Sequence, residues 1–279
     1  MDCRKWIERY SIDCRLKYNS VNTQENYISQ VRTFLFYFEK MYREPKEIPT
    51  ERIKLWILSK DSINTRNHRL CAVKSFYEIT VGMPMKIEKI PFGKKDKKLP
   101  IVLSQDEIQR MFNACTNLKH KVILSLLYSA GLRVSELINL KWQHLDRSRM
   151  IINIIQAKGK KDRQVMLAPS LIPLLENYYK QYKSVIYVLN GQGDLAQYSE
   201  RSVGEVVKQL AAKAGITNKR VYTHLIRHCS FTHLVEGGTD INLIQRLAGH
   251  SNVKTSMMYC HISHNLISNI QSPINRIQL

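Results

Sequence analysis

The stretch THLIRHCSFTHLVEGG, residues 223–238, places His224 and His228 four positions apart, on one face of a predicted helix. Zinc proteases use the same spacing, with a glutamate directly after the first histidine. In this chain Leu225 takes the glutamate position, and Arg227 stands directly before the second histidine. The stretch therefore predicts a helix that presents either metal ligands or a group that binds phosphate.

Zinc is the weaker of these two interpretations. A catalytic zinc needs three protein ligands and a nearby base, and HLIRH lacks the glutamate of the HExxH motif. Arg227 also lies three positions from His224, so its positive charge would be brought against the metal. The sequence therefore favours a phosphate-binding helix, and we expect neither a bound metal nor another cofactor.

The length and composition are those of an ordinary globular protein. The 279 residues are enough for one large domain or two smaller ones, each with its own core. No run approaches the ~20 apolar residues of a membrane helix, and the N-terminal MDCRKWIERY lacks the apolar core of a signal peptide. We therefore expect a cytoplasmic protein with no membrane partner, whose six scattered cysteines are reduced packing residues.

The charge balance points to the kind of partner. The formal net charge is +20, and basic residues are in excess on both sides of residue 90. Such an excess predicts a polyanion partner, and nucleic acid is the usual one. A basic surface is only an electrostatic footprint, so charge alone does not exclude a merely soluble basic protein.

Hydrophobic spacing divides the chain near residue 90. Residues 1–90 show helical patterns alone, which predict a small bundle of about four helices with aromatic core residues. In the longest helix, Asn22 and Glu25 resemble a capping box, and apolar residues then recur at helical spacing: Tyr27, Val31, Phe34, Leu35, Phe38 and Met41.

The next stretch, PFGKKDKKLP at residues 91–100, has the composition of a linker. Two prolines, a glycine and four lysines do not form a packed element. The lysines either keep the linker solvated or follow a phosphate backbone, and the residues do not decide between these roles. The lysines concerned are Lys94, Lys95, Lys97 and Lys98.

Residues 101–279 form a second predicted domain, mainly α-helical with a small antiparallel sheet. Ser104 and Glu107 form a capping box, and a later helix ends at Gly131. The stretch MIINIIQAKGKKDRQVML, residues 150–167, has two β-rich runs around a Lys/Gly turn and predicts a hairpin. Helices then continue to the end, interrupted by one further candidate strand at Val185–Leu189.

An ordered set of polar side chains in the second domain suits phosphate binding. Arg133 follows a glycine helix stop and begins another helix, whose free N–H groups favour an anion. Glu136, one turn on, is placed to hold the guanidinium of Arg133, although such a pair is also common at protein surfaces. Later members of the set are Lys158 in the hairpin turn, His224, Arg227, His250 and Tyr259.

The segments GLRVSEL, AKGKKDR, HLIRH and LAGHSNVKTSMMY resemble the four motif blocks of the tyrosine recombinases, in family order and spacing. The resemblance runs from about Ser104 to the end. The N-terminal part is more loosely similar to the helical core-binding domain of the family, through TQENYISQVRTFLFYFE. The size resembles the compact Xer-type and simple phage or transposon enzymes, without a separate arm-binding domain. Two departures, Ala157 for glycine and Ile226 for leucine, remove no functional group.

The resemblance implies an enzyme that cleaves and rejoins double-stranded DNA through a 3′-phosphotyrosine, without metal or ATP. A phenol has a pKa near 10, so it needs a proton acceptor and a cationic surrounding to attack at neutral pH. The implied roles are Tyr259 as nucleophile, Arg133 and Arg227 as phosphate clamps, His224 as proton acceptor, Lys158 as general acid, His250 as a hydrogen-bonding group on phosphate, and Glu136 as an accessory brace.

The resemblance also implies an assembly. It predicts a two-domain, C-shaped DNA clamp, with four protomers on two DNA sites. The apolar stripe after Tyr259 packs on its own domain or, as the resemblance implies, is donated to a neighbouring protomer. The candidates for DNA contact are Lys94, Lys95, Lys97, Lys98, Lys160, Lys161 and Arg163.

Several alternatives stay open at this level. One is a non-catalytic DNA-binding protein of the same fold, and another is a topoisomerase-like enzyme that nicks and reseals DNA with the same tyrosine. For a recombinase, the role is integration and excision of a phage or mobile element, or Xer-type resolution of chromosome dimers. The DNA target is not readable from one chain, because base contacts and phosphate contacts use the same side chains.

Overall fold

The computed structural model describes residues 1–94, 101–155, 162–192 and 196–262, with backbone alone at 261 and 262. The chain divides into two compact units, Met1–Lys98 and Leu99–Leu279. The division falls inside the predicted linker, most of which lies outside the described residues. In the part of the chain that is described, no helix is long and apolar enough to cross a membrane.

The first unit is a helical bundle with an aromatic core. Phe34 lies at its centre, with its ring centroid 5.2 Å from those of both Phe38 and Trp56. All three rings are buried, so these three aromatics are core residues as expected, whereas Phe36 and Tyr37 are exposed. The helices are α1 (Cys3–Lys17), α2 (Val21–Phe38), α3 (Thr50–Leu58), α4 (Ile63–Phe76), which continues as a π-helical turn (Tyr77–Val81), and α5 (Met85–Glu88).

Two details of α2 differ from the prediction. The helix begins at Val21 after Ser20, whose side chain makes no capping hydrogen bond, so the capping box at Asn22 and Glu25 is wrong. Met41 lies beyond the end of α2 and is exposed, although the apolar spacing extends to it. The row of buried residues on α2 ends at Phe38, because the helix ends there and Met41 no longer lies on its buried face.

The second unit is mainly helical, which confirms the predicted fold class. The capping box at its start is confirmed, since Ser104 N donates to Glu107 Oε2 at 2.8 Å and Glu107 N donates to Ser104 Oγ at 3.1 Å. Its helices are α6 (Gln105–Asn113), α7 (Leu118–Ser129), α8 (Val134–Ile138), α9 (Leu171–Tyr182), α10 (Glu200–Lys213), α11 (Thr223–Glu236), α12 (Ile241–Ala248) and α13 (Val253–Ile262).

A three-stranded antiparallel sheet lies between α8 and α9, in the order β1 (Leu145–Asp146), β2 (Ile151–Ile154) and β3 (Arg163–Met166). Ile151 pairs with Met166 and Ile154 with Arg163, which confirms the hairpin. The two-residue β1 is too short to show a pattern in the sequence. The strand predicted at Val185–Leu189 is wrong, because Tyr187 forms just an isolated bridge with Lys141. Val188 and Leu189 are buried by packing, whereas Val185 and Ile186 are exposed.

Helix α11 is the central element of the second unit. It packs against α7 on one side and against α12 and α13 on another. Leu225, Ile226 and Cys229 belong to the main core, while Phe231 and Val235 belong to a smaller apolar cluster with residues of α12 and α13. Because α11 is covered on several sides, the THLIRH stretch is buried next to α13, the helix that carries Tyr259.

Candidate active site

The first arginine is positioned by a tight turn. Gly131 has φ of +57° and ends the α7 segment, and Arg133 then caps the short helix α8. Arg133 Nη1 donates to Glu136 Oε1 at 2.7 Å, and Arg133 N donates to Glu136 Oε2 at 2.8 Å. The Glu136 side chain is 5% exposed and that of Arg133 is 21% exposed, so this pair is not an ordinary surface ion pair.

The second arginine, Arg227, is buried in α11 with 1% of its side chain exposed. Its Nη1 donates to the carbonyl of Gly131, and its guanidinium carbon lies 4.8 Å from the centroid of the Phe231 ring. Burial, together with the charge of Arg133, lowers the pKa of Arg227 to about 10. The guanidinium therefore stays charged at neutral pH.

One backbone carbonyl joins the two arginines. Ala248 O, at the C-terminal end of α12, accepts from Arg133 Nη2 at 3.1 Å and from Arg227 Nη2 at 2.5 Å. The helix ends there because Gly249 adopts the left-handed conformation, with φ of +62°. The carbonyl end of a helix carries partial negative charge, so it stabilises two cations that would otherwise repel each other.

A third arginine completes the charged centre. Arg163, at the start of β3, donates through Nη1 and Nη2 to the two oxygens of Glu136 at 2.6 and 2.7 Å. Burial alone would raise the pKa of Glu136, but hydrogen bonds and charge from Arg163 and then Arg133 outweigh it and lower this pKa to about 2. The centre thus holds three guanidiniums against one carboxylate, and this excess positive charge favours an anion.

The predicted nucleophile lies beside this centre, on the same chain. Tyr259 of α13 is 1% exposed. Its ring is stacked with that of His250, with centroids 6.1 Å apart and planes at 17°, and lies 5.8 Å from the ring of His228. His250 Nδ1 is 2.9 Å from Ser256 Oγ, which fixes the orientation of the imidazole. Side chains of α11 and of the turn after α12 therefore lie against the Tyr259 ring.

The ionisation of these groups follows from burial and from the arginines. Partial burial, then the charges of Arg227 and Arg133, lower the pKa of His224 below its usual value, and the same causes lower that of His250 to about 4. Burial raises the pKa of Tyr259, and the two arginines oppose that shift. At neutral pH the imidazoles are neutral and able to accept a proton, while the phenol is protonated and needs a base.

The structure brings together six of the residues predicted from the sequence: Arg133, Glu136, His224, Arg227, His250 and Tyr259. Lys158, Lys95, Lys97, Lys98, Lys160 and Lys161 lie outside the described residues. Lys94 is described and exposed. Arg163 differs from expectation, since its guanidinium is turned inward to Glu136 and 7% of its side chain is exposed.

His228 is a site residue that the sequence interpretation considered only as a metal ligand. Its ring lies 4.4 Å from that of His224, edge to face, and burial beside His224 and Arg227 lowers its pKa to about 4. No group of three or more His, Cys, Asp or Glu residues is arranged to hold a metal within the described ranges. The four-residue spacing from His224 was the signal that placed His228 on the same face.

The sequence of this chain is similar to those of a known protein family, in agreement with the geometry of the site. Residues 102–265 match the family model described as the phage integrase family. The chain belongs to this family. The match spans the described site, from the start of α6 to the end of α13.

Individual relatives of this integrase-family chain agree with the assignment. A putative integrase/recombinase, y4qK, of Sinorhizobium fredii strain NBRC 101917 / NGR234 is 34% identical over 271 residues, covering 95% of this chain and 87% of the relative. The tyrosine recombinase XerA of Pyrococcus horikoshii is 32% identical over 265 residues, covering 92% and 89%. The resemblance to tyrosine recombinases is thus confirmed, and the chain is a tyrosine site-specific recombinase.

The fold is shared with solved structures. A lambda integrase tetramer bound to a Holliday junction has a TM-score of 0.76 at 14% identity, covering 92% of this chain and 76% of that chain. This likeness shows the fold of the integrase family in the present chain.

Proposed function

We propose that this recombinase cleaves and rejoins double-stranded DNA through a 3′-phosphotyrosine at Tyr259. The observation that carries the proposal is the position of Tyr259, whose ring contacts His228 and His250 and whose pKa responds to the charges of Arg227 and Arg133. A buried phenol beside two guanidiniums and several neutral imidazoles has the surroundings that a phenolic nucleophile needs. All of these groups come from one chain.

The chemical step combines an exchange of bonds at phosphorus with two proton transfers. The Tyr259 oxygen forms a bond to phosphorus while the bond to the DNA 5′ oxygen breaks, which leaves a 3′-phosphotyrosine and a 5′ hydroxyl. His224 accepts the phenolic proton, and Lys158 supplies a proton to the departing 5′ oxygen. The reverse attack by a 5′ hydroxyl of another strand joins the strands without ATP, because the phosphotyrosine keeps the energy of the original bond.

Arg133 and Arg227 stabilise the extra negative charge on phosphorus as the phenol attacks. A guanidinium stays charged at any working pH and presents a planar fork to two oxygens. In phosphoryl transfer one such arginine contributes on the order of 10³–10⁵ in rate. His250 donates to a non-bridging oxygen, and Glu136 holds the fork of Arg133. The fixed charges supply the stabilisation, so neither metal nor ATP is required.

The assembly and the biological role are part of the proposal. A lambda integrase of the same fold forms a tetramer on a Holliday junction, and we infer four protomers on two DNA sites for this chain too. We favour integration or excision of a phage or mobile element, in the cytoplasm, with Xer-type resolution of chromosome dimers as the alternative. The relatives include both a putative integrase and a XerA recombinase, so they support either role.

The experiment that tests this function needs no known DNA site. The protein is mixed with nicked duplexes that have a randomised core, and SDS then removes all DNA that is not covalently attached. We expect the surviving strands to be joined through a 3′ phosphate and to share a sequence. The Tyr259→Phe variant should retain duplexes before SDS and none after it.

The rival functions give other results in the same experiment. A non-catalytic DNA-binding protein would enrich a sequence before SDS and leave no covalent DNA. A topoisomerase-like enzyme would attach strands without a common sequence and would relax a supercoiled plasmid that lacks paired sites. Undiminished covalent DNA with Tyr259→Phe would rule out this tyrosine as the nucleophile.

A further inference from the structure

Arg163 and Glu136 form a buried pair whose hydrogen bonds reach the catalytic arginine. Each oxygen of Glu136 accepts twice: Oε1 from Arg163 Nη1 and Arg133 Nη1, and Oε2 from Arg163 Nη2 and the backbone N–H of Arg133. The side chains of Arg163 and Glu136 are 7% and 5% exposed. A buried carboxylate with two donors on each oxygen has little freedom to rotate, so Arg163 restricts the group that orients the Arg133 fork.

The third guanidinium nitrogen of Arg163 reaches a second part of the site. Its Nε donates to the carbonyl of Leu247 at 2.8 Å. The next carbonyl, that of Ala248, is the one that binds both Arg133 and Arg227. A Cβ placed on Gly249 would come within 3.0 Å of Arg163 Cδ, so the chain turn before His250 lies directly on this side chain. Arg163 therefore contacts both structures that hold the catalytic arginines.

We propose that Arg163 is a positioning residue of the recombinase, acting through Glu136 and the end of α12 to fix the guanidiniums of Arg133 and Arg227, rather than by contacting DNA. The proposal rests on the function proposed above. A displacement of about 1 Å at a reacting centre lowers a rate by about 10²-fold, so loss of this support is expected to slow cleavage without weakening DNA binding.

The test variant is Arg163→Lys, which keeps the charge but loses the fork and the bond to Leu247 O. The probe is a nicked duplex of the common sequence recovered from the randomised library. At saturating protein we expect covalent adduct to form about 10²-fold more slowly than in the wild type, with DNA affinity within about threefold. The matched control is Arg147→Lys, because Arg147 pairs with Glu176 at the surface of the same unit, and it should leave both quantities unchanged.

Comparing DNA affinity with the rate of adduct formation distinguishes a positioning role of Arg163 from a direct contact with DNA. A direct phosphate contact through the guanidinium fork predicts weaker binding and a normal rate at saturation, and this outcome overturns the proposal. A normal rate with normal binding overturns it as well.

A second substrate tests the route through Glu136. A bridging 5′-phosphorothiolate has a leaving group that needs no proton, so it bypasses any defect in the general acid. We expect the Arg163→Lys defect to persist with this substrate, because the arginines still act on phosphorus. Full rescue would mean that Arg163 acts on the acid instead, and the proposed route would be wrong.

A double variant covers the case in which Arg163→Lys does not fold. Arg163→Gln with Glu136→Gln removes one buried cation together with the buried carboxylate, so the net charge of the centre stays the same. Its cleavage rate should match that of Glu136→Gln alone within about threefold, because the two residues act as one unit. A wild-type rate in the double variant overturns the proposal.

One measurement separates this proposal from the proposed function. In the free protein, the side-chain N–H groups of Arg133 should exchange with water faster in Arg163→Lys than in the wild type, whether or not DNA is cleaved. If the wild type forms no adduct with any duplex, the proposed function fails, and the exchange rates still test the positioning role. Equal exchange in both proteins would count against positioning.

Discussion

Buried imidazoles beside arginines make the stability of this protein sensitive to acid. The pKa values of His228 and His250 are lowered to about 4, first by burial and then by neighbouring positive charge. A histidine in an unfolded chain has a pKa near 6.5. Between these values the unfolded chain binds a proton at each position that the folded chain does not, so stability falls as pH falls from about 6.5 to about 4.

We therefore expect the midpoint of thermal unfolding of the second unit to decrease steadily from pH 7 to pH 4.5. Each such imidazole adds at most about 1.4 kcal/mol per pH unit to the slope. Histidines with a lowered pKa elsewhere in the unit add in the same direction. His250→Gln removes one titrating group and should reduce the slope of unfolding free energy against pH by up to about 1.4 kcal/mol per pH unit. An unchanged slope would contradict this account.

The side chains whose place in the site was predicted from the sequence differ from Arg163, whose place was not, in how far away in sequence their partners lie. Arg133, Arg227, His250 and Tyr259 stand in motifs whose order and spacing indicate a phosphate site. Arg163 follows the lysine-rich stretch KGKKD, and by composition it looks like a DNA contact. Its inward position depends on Glu136, which is distant in sequence and accepts hydrogen bonds from Arg163 only in the folded unit.

Short elements were the hardest part of the fold to predict. The capping box at Ser104 and the hairpin at 150–167 have local patterns that depend on a few neighbouring residues, and both are confirmed. The two-residue β1 has no such pattern, and the apolar run at 185–189 buries Val188 and Leu189 with almost no strand pairing. Tertiary contacts, which a local pattern does not contain, decide these cases.

The turn between α7 and α8 is the element on which the phosphate site depends most directly. Gly131 has a positive φ, and a Cβ at this position would lie 2.6 Å from Phe231 Cζ. Gly131→Ala should therefore lower the free energy of unfolding of the second unit by about 2–5 kcal/mol, from the left-handed backbone and the clash together. Because Gly131 O accepts from Arg227, the same change should slow adduct formation more than tenfold.

The matched control is Gly204→Ala in α10. A Cβ at Gly204 meets no atom within 4 Å, and the residue lies in the interior of a helix. Alanine there should leave adduct formation unchanged and raise the free energy of unfolding by about 0.5–1 kcal/mol. Urea unfolding of the two variants measures the contrast, and similar losses for both would show that the turn has no special role.

The site residues and the basic residues are distributed differently between the two units of the molecule. Each unit has its own apolar core, and every described residue of the site belongs to the second unit. The excess positive charge, by contrast, is spread along the chain, with 43 basic against 23 acidic residues. The proposed chemistry therefore needs the described side chains of one unit, whereas affinity for DNA should draw on both.

We expect a fragment that begins at Ile101 to fold by itself and to unfold cooperatively, because its core is complete without the first unit. On the selected duplex it should still form an adduct through Tyr259, but with weaker binding and a smaller salt dependence. Removing one charged group that binds phosphate reduces the slope of log K against log salt by about 0.9. Titrations at several salt concentrations, for the fragment and the full chain, measure this difference. A fragment that binds with the full slope would mean that the first unit does not contact DNA, and a fragment that fails to unfold cooperatively would mean that the two cores depend on each other.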